Sequence, residues 1–381
     1  MKEVNLFVCG DIINMYSTNQ FISDGLINII KSADYAICNF EGTCEYSEIQ
    51  NNDMVQKVGT LSFLKRAGFD LMLLANNHVT DYGINGLTNT LNEIDKHAFD
   101  RIGASLSYEE AYRPLIKTFN EVKIGFFNLC EAQVGHFANP DQSYGYAWIG
   151  ENHIDDRIVE LRKNVDFLIL FIHAGLENYR LPLYEFRKLY KHYCDLGVNV
   201  VIGGHPHIAQ GIESYNNSII CYSLGNFYFP RMPHTEDIDT WSNSYSLIIK
   251  ITNKGIKITP IYHSTSNLVV SSCSNIGIHL NELSKELEEP LYSKLIGKQN
   301  EEAFKMLPYR LYKQALCGTE YEDYFFDKLK FIFNYLFNYK GRYTRTLEYR
   351  KMLLKRLVEN ETYRYLTIAA LSNVENEGRN K

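Results

Sequence analysis

Residues 198–207 read VNVVIGGHPH, and the rest of the chain takes its meaning from them. Val198, Val200, Val201 and Ile202 form a short β-branched run closed by a glycine pair, the signature of a buried parallel strand that breaks into a loop at its carboxyl end. Two histidines follow at once. In extended backbone His205 and His207 leave on the same side. Pro206 biases His205 toward extended geometry, and Gly203 and Gly204 would let the backbone approach a ligand. The pattern presents two imidazoles to one metal or phosphate centre.

Working outward, the same grammar recurs. Residues 4–9 read as a strand stopping at Gly10-Asp11, and residues 34–38 as one running into Asn39-Phe40-Glu41-Gly42. Residues 70–75 (DLMLLA) open into Asn76-Asn77-His78, with Asp81 and Gly83 beyond, and residues 167–172 deliver His173. Further strands are expected at 123–130, 219–222, 246–251 and 256–261, the second of these running into Ser223-Leu224-Gly225-Asn226-Phe227. Helical spacing fills 25–31, 61–67, 87–97, 154–163 and 183–196. Strands alternating with helices imply α/β layering, and such sheets hold ligands beyond the carboxyl ends of their strands. Asp11, Glu41, Asn77, His78, His173, His205, His207 and Asn226 all fall there.

Each residue also has an ordinary reading. Asp11 suits a turn or cap, Glu41 a surface carboxylate, and His173 a core imidazole bonded to backbone. It is the repetition at strand ends that points to a site. Asp53, His97, His136, His153, His192, His234, His263 and His279 show no such pattern and are read as solvated or structural.

The composition bounds the rest. A chain of 381 residues with 45% hydrophobic content can bury a large core plus an appendage. A net charge of −6 gives no global reason to expect nucleic acid. The eight cysteines form no CxxC pair, and Cys9, Cys38, Cys130, Cys194 and Cys221 sit in apolar runs as reduced core thiols. The opening MKEVNLFVCGD lacks signal-sequence character and no segment has bilayer-spanning length, so the expected compartment is the cytoplasm. After about Val270 the pattern turns helical and rich in tyrosine, lysine and phenylalanine, which divides the chain into 1–265 and a helical extension, 266–381. Residues 325–337 are strongly apolar and 340–356 basic: a helical subdomain, or a basic surface docking on anionic lipid or acidic polymer. Residues 373–381 are expected to fray.

The ordered motifs Gly10-Asp11, Asn39-Phe40-Glu41-Gly42, Asn76-Asn77-His78 with Asp81 and Gly83, His173-x-Gly175-x-Glu177-x-Tyr179, Gly204-His205-Pro206-His207 and Ser223-Leu224-Gly225-Asn226-Phe227 resemble the CapA family of bacterial capsule synthesis proteins, over roughly residues 4–265. That family looks like a branch of the calcineurin-like metallophosphoesterases. The resemblance implies a four-layer α/β fold, a β-sandwich flanked by helices, and a role in capsule or poly-γ-glutamate synthesis. It implies one or two divalent ions (manganese, iron or zinc), one held by Glu41, Asn77, His173 and His205 and the other by Asp11, Glu41 and His207. His78 would be the general acid and Asp81 its orienter, with Asn76, Glu177 and Asn226 toward the substrate, an anionic polymer or phosphoester. A capsule synthase or exporter would be the partner, or the membrane surface through the basic helices. Phosphoesterases commonly place a histidine two residues after the first aspartate. Here Ile13 stands, leaving the second position one ligand short and keeping a non-catalytic accessory role open.

Overall fold

A computed structural model describes residues 3–16, 20–49, 54–230, 238–273, 279–306, 308–317 and 347–379. The chain forms two compact units, Met1–Tyr292 and Ser293–Lys381. The division falls later than residue 265 because strand Val269–Ser272 pairs with Gly255–Ser266 and helix Leu280–Lys285 joins the core of the first unit. In the second unit, helices Pro308–Cys317, Leu347–Glu359 and Glu361–Arg379 close around Ala315, Leu353 and Leu357. The apolar stretch 325–337, the start of the basic stretch, Asp53 and His234 lie outside the described residues. The expected frayed end is helical as far as Arg379.

Among its described residues the first unit holds two large sheets. One runs Val269–Ser272, Gly255–Ser266, Asn243–Thr252, Glu3–Ile12, Tyr35–Phe40, Leu71–Leu73, Asp100–Ile102, with Asn226–Tyr228 added beside Glu3–Ile12. The other runs Ile212–Tyr215, Ser218–Cys221, Val200–Gly204, Phe167–His173, Val122–Cys130, Leu115–Phe119. Their centres are parallel. Alternating side chains explain the layering. Leu6, Val8, Ile37 and Leu71 of the first sheet meet Phe126, Ile169, Phe171, Val200 and Ile202 of the second in one core between the sheets. Phe7, Cys9, Ala36, Cys38 and Met72 point the other way, onto Leu26, Ile30, Leu64, Leu87 and Leu91 of three covering helices. Helices Ile154–Lys163 and Tyr184–Asp195 cover the outer face of the second sheet. Strands buried on both faces read as continuous apolar runs, which is why the runs looked unbroken in the sequence. The four layers match the architecture the resemblance implies.

The turn carrying His205 and His207 differs from its expected shape. Strand Val200–Gly204 takes in both glycines, and the chain then turns sharply: His205 has φ 91° and His207 φ 62°. Neither is extended. Positive φ at a non-glycine residue costs about 1–3 kcal/mol and persists where surroundings over-determine it. The turn leaves the two ring centroids 5.9 Å apart, with ligand atoms of both histidines still within 4.8 Å of each other. Gly203 serves a different neighbour from the one expected. A Cβ there would collide with the Tyr222 carbonyl of the adjacent strand's end, so the glycine permits strand-to-strand approach.

Candidate metal centre

The carboxyl ends of both sheets meet at one buried site. On the side of the first sheet, a register shift at Asp11 breaks the pairing of strand Glu3–Ile12 with both neighbours. Such bulges re-aim a side chain. The Asp11 carboxylate, fully buried, accepts a 2.6 Å bond from Asn39 Nδ2 and lies 3.3 Å from His207 Nδ1. His207 Nδ1 also meets Asn226 Oδ1 at 3.0 Å. Glu41 follows strand Tyr35–Phe40 and is fully buried, with neither carboxylate oxygen hydrogen-bonded. Ligand atoms of Asp11, Glu41 and His207 lie within 4.8 Å of one another.

Behind this group the wall is apolar. Ile13 packs with Phe229 and Trp241, whose rings sit 5.3 Å and 4.8 Å from that of His207.

On the side of the second sheet, His173 ends its strand. Its Nε2 donates to Asn77 Oδ1 at 3.0 Å and lies 3.7 Å from Glu41 Oε1, while Nδ1 accepts from Asn39 Nδ2 at 3.2 Å. His205 stands beside it, ring centroids 4.8 Å apart. Around His205 Nε2 gather Glu131 Oε1 at 3.4 Å, Gln133 Nε2 at 3.3 Å and Glu177 Oε1 at 3.9 Å. Glu177, His205 and His207 form a second group able to hold a metal ion.

His78 and Asp81 sit at the partly exposed rim, joined at 2.7 Å. Asn76 lies elsewhere than at a substrate surface. It is fully buried, its Oδ1 accepting from the Gly42 and His78 amides and its Nδ2 donating to the Phe40 carbonyl. It ties two strand-end loops together, and its polar atoms are engaged in doing so.

Electrostatics sort these groups. Burial, reinforced by the Asp11 charge, pushes the Glu41 carboxyl up. Burial would raise Asp11 as well, but the close His207 and His173 imidazoles and the Asn39 amide hold it below the usual carboxylate range. Burial alone would lower His207; the Glu41 and Asp11 carboxylates override it and raise it to about 9. His205 is pushed down to about 4, chiefly by burial, and burial with neighbouring imidazoles takes His173 well below its ordinary value. His173 and His205 are thus favoured as neutral imidazoles, the state a divalent cation requires, whereas His207 would have to release its proton on binding one.

The donor set therefore fits a metal. Two carboxylates, an amide oxygen and three imidazoles converge, and Glu41 leaves both its buried oxygens without a hydrogen bond, a costly arrangement for a carboxylate with no cation to meet. A cavity of about 20 Å³ beside Asp11, Asn39 and His173 is lined otherwise mainly by core residues such as Val8, Leu73, Phe171 and Ile202, and not by Glu41 or His207.

Of the residues singled out in the sequence, Asp11, Glu41, Asn77, His173, His205, His207, Glu177 and Asn226 are gathered here, with His78 and Asp81 at the rim. Sequence reasoning missed Asn39, Glu131 and Gln133. Glu131 carried a readable signal: it directly follows strand Val122–Cys130, as Glu41 and His173 follow or end theirs. Of the histidines set aside, His263 is fully buried, bonded to Ser246 Oγ at 3.0 Å, and structural.

Stacked sheets clothed by helices, with carboxylate, amide and imidazole side chains gathered at the carboxyl ends of parallel strands, define a layered α/β protein with a candidate metal centre. More narrowly, the chain belongs to the bacterial capsule synthesis protein family PGA_cap, whose profile matches residues 5–231. It is 31% identical over 214 residues to the PGA biosynthesis protein CapA of Bacillus subtilis (strain 168), covering 53% of this chain and 55% of that protein. To the capsule biosynthesis protein CapA of Bacillus anthracis it is 27% identical over 232 residues, 58% of this chain and 56% of that protein. The chain spans about half the length of the curated relatives it matches. Among solved structures, it is similar to a 5′-nucleotidase precursor from Thermus thermophilus (TM-score 0.40, 12% identity, 80% of this chain and 59% of that one). A 5′-nucleotidase from Candida albicans is comparable (TM-score 0.42, 13% identity, 80% and 58%). Likeness this distant carries no argument about activity. Among the described residues no helix is long and apolar enough to cross a membrane.

Proposed function

We propose that this chain is a metal-dependent hydrolase of capsule polymer metabolism, cleaving the backbone of an anionic polymer such as poly-γ-glutamate or a related phosphoester. The observation that carries the reading is Glu41: a buried carboxylate, both oxygens without hydrogen bonds, between Asp11, His207 and His173. Asp11, Glu41 and His207 would hold one manganese, iron or zinc ion, and Glu41, Asn77, His173 and His205 another. When bound, such an ion supplies Lewis-acid polarisation of the scissile bond and acidifies the attacking water.

The chain's own residues supply the remainder. Asn39 donates to both Asp11 and His173, so one amide fixes a carboxylate and an imidazole across the two sheets. His78 lies at the open rim. Burial works against its charged form, but the Asp81 hydrogen bond and the Glu41 charge outweigh it and raise its pKa, the direction that suits a proton donor to a leaving group. The test is turnover of γ-glutamyl oligomers and generic phosphodiesters with added manganese. Activity should vanish in His173→Ala and His205→Ala, and turnover surviving both would end the enzymatic reading.

A second reading is favoured by Ile13. Its place among Phe229 and Trp241 gives the Asp11 side no extra ligand, as suits an accessory factor that binds metal or polymer for a synthase or exporter. Metal uptake without turnover on any polymer fragment would select it.

A further inference from the structure

Residues 131–133 lie outside every motif that marked the site, yet they touch two of its candidate ligands. Glu131 is fully buried, an expensive place for a carboxylate, and its Oε1 is 3.4 Å from His205 Nε2. Gln133 Nε2 donates to that same Oε1 at 2.9 Å. The other end of the Gln133 amide, Oε1, accepts from Asn77 Nδ2 at 3.3 Å. With its Nδ2 so engaged, Asn77 turns Oδ1 toward His173 Nε2, at 3.0 Å. The loop itself is held by buried Tyr146, whose hydroxyl donates to the Glu131 carbonyl at 3.2 Å and accepts from the Gln133 amide at 2.9 Å.

We infer that Glu131 and Gln133 are the positioning pair of this site, Glu131 orienting His205 and Gln133 orienting Asn77 toward a common divalent cation. The inference rests on the metal-centre reading above. The orientation of His205 is what carries it. Its Nε2 is held by the Gln133 Nε2 amide at 3.3 Å, with Glu131 Oε1 at 3.4 Å and Glu177 Oε1 at 3.9 Å beside it. Its Nδ1 is buried with no hydrogen-bond partner, which leaves it as the ring nitrogen not yet engaged. A carboxylate behind a ligating imidazole sets the tautomer and ring angle and raises ligand basicity. One loop thereby controls an imidazole and an amide oxygen together, on the side where the site is polar.

The test is calorimetric titration of manganese into the chelator-stripped full chain, its Glu131→Gln and Gln133→Ala variants, and Lys96→Ala as an exposed control, each checked for a cooperative melt. The parent binds, the control matches it, and both variants raise the dissociation constant by about 10–100-fold. If Glu131→Gln does not fold, Gln133→Ala decides. Parent-like affinity in the variants overturns the inference and leaves the proposed function standing. A parent that takes up no manganese overturns both.

Discussion

The two walls of the site are built on opposite plans. Around Asp11, Glu41 and His207 the backing is Ile13, Phe229 and Trp241, apolar and aromatic, so the polar groups have mainly each other. Around His173, Asn77 and His205 the backing is Asn39, Glu131 and Gln133, and most polar atoms have an assigned partner. The two histidines of one tripeptide register the contrast. His207, against carboxylates, is raised to about 9, and His205, pushed down chiefly by burial, falls to about 4. One wall stores electrostatic conflict that a cation would relieve, and the other holds neutral donor groups in set orientations.

The largest expected effect breaks the strained wall. Glu41→Gln should lower manganese-dependent turnover by about 10³-fold, since several kcal/mol of transition-state stabilisation passes through that position. The same change should raise the melting temperature in chelator, because it removes a buried carboxylate without hydrogen bonds, and lower it relative to the parent in manganese. Differential scanning calorimetry under both conditions checks the reversal of sign.

A smaller change separates the rim from both walls. Asp81→Asn should reduce turnover by about 10–100-fold through His78, while manganese affinity measured by calorimetry stays that of the parent. Loss of affinity would place the pair among the ligands instead. Ile13→His sharpens the contrast from the other side. It should tighten manganese binding at the Asp11, Glu41 and His207 position, read by calorimetry, at about 1–3 kcal/mol of stability for a polar ring placed in the apolar cluster.

The pH dependence divides the histidines. His207 is raised above its ordinary 6.5, so the native state holds its proton more tightly than the unfolded chain does. Its contribution is full below pH 6.5 and is lost as pH rises through about 9. In chelator, the stability gap between parent and His207→Gln should be on the order of 2–3 kcal/mol at about pH 6 and close by about pH 9.5. A gap that widens with pH would contradict the ion pair with Asp11.

Strand ends were the legible part. Apolar runs finishing in Asp11, Glu41, Asn77, His173 and His205 follow from strands buried on both faces, and local sequence records that. What escaped has physical causes. Edge strands Leu115–Phe119 and Ile212–Tyr215 are only partly buried, and Asn226–Tyr228, three residues long, is a strand only because Glu3–Ile12 lies beside it. The turn at His205 and His207 was misread as extended because local preference before proline favours that, whereas partners from both sheets impose positive φ. Asn39 read as motif filling, although its amide joins Asp11 to His173 across the sheets, a contact no single segment contains.

The central claim is that Asp11, Glu41 and His207 close on a divalent cation. Anomalous diffraction from crystals of the full chain grown with manganese tests it most directly. The account predicts a manganese peak at coordination distance from the Asp11 and Glu41 carboxylates and a ring nitrogen of His207. Ordered density for these three side chains with no peak among them, at manganese concentrations that fill other sites, would contradict it.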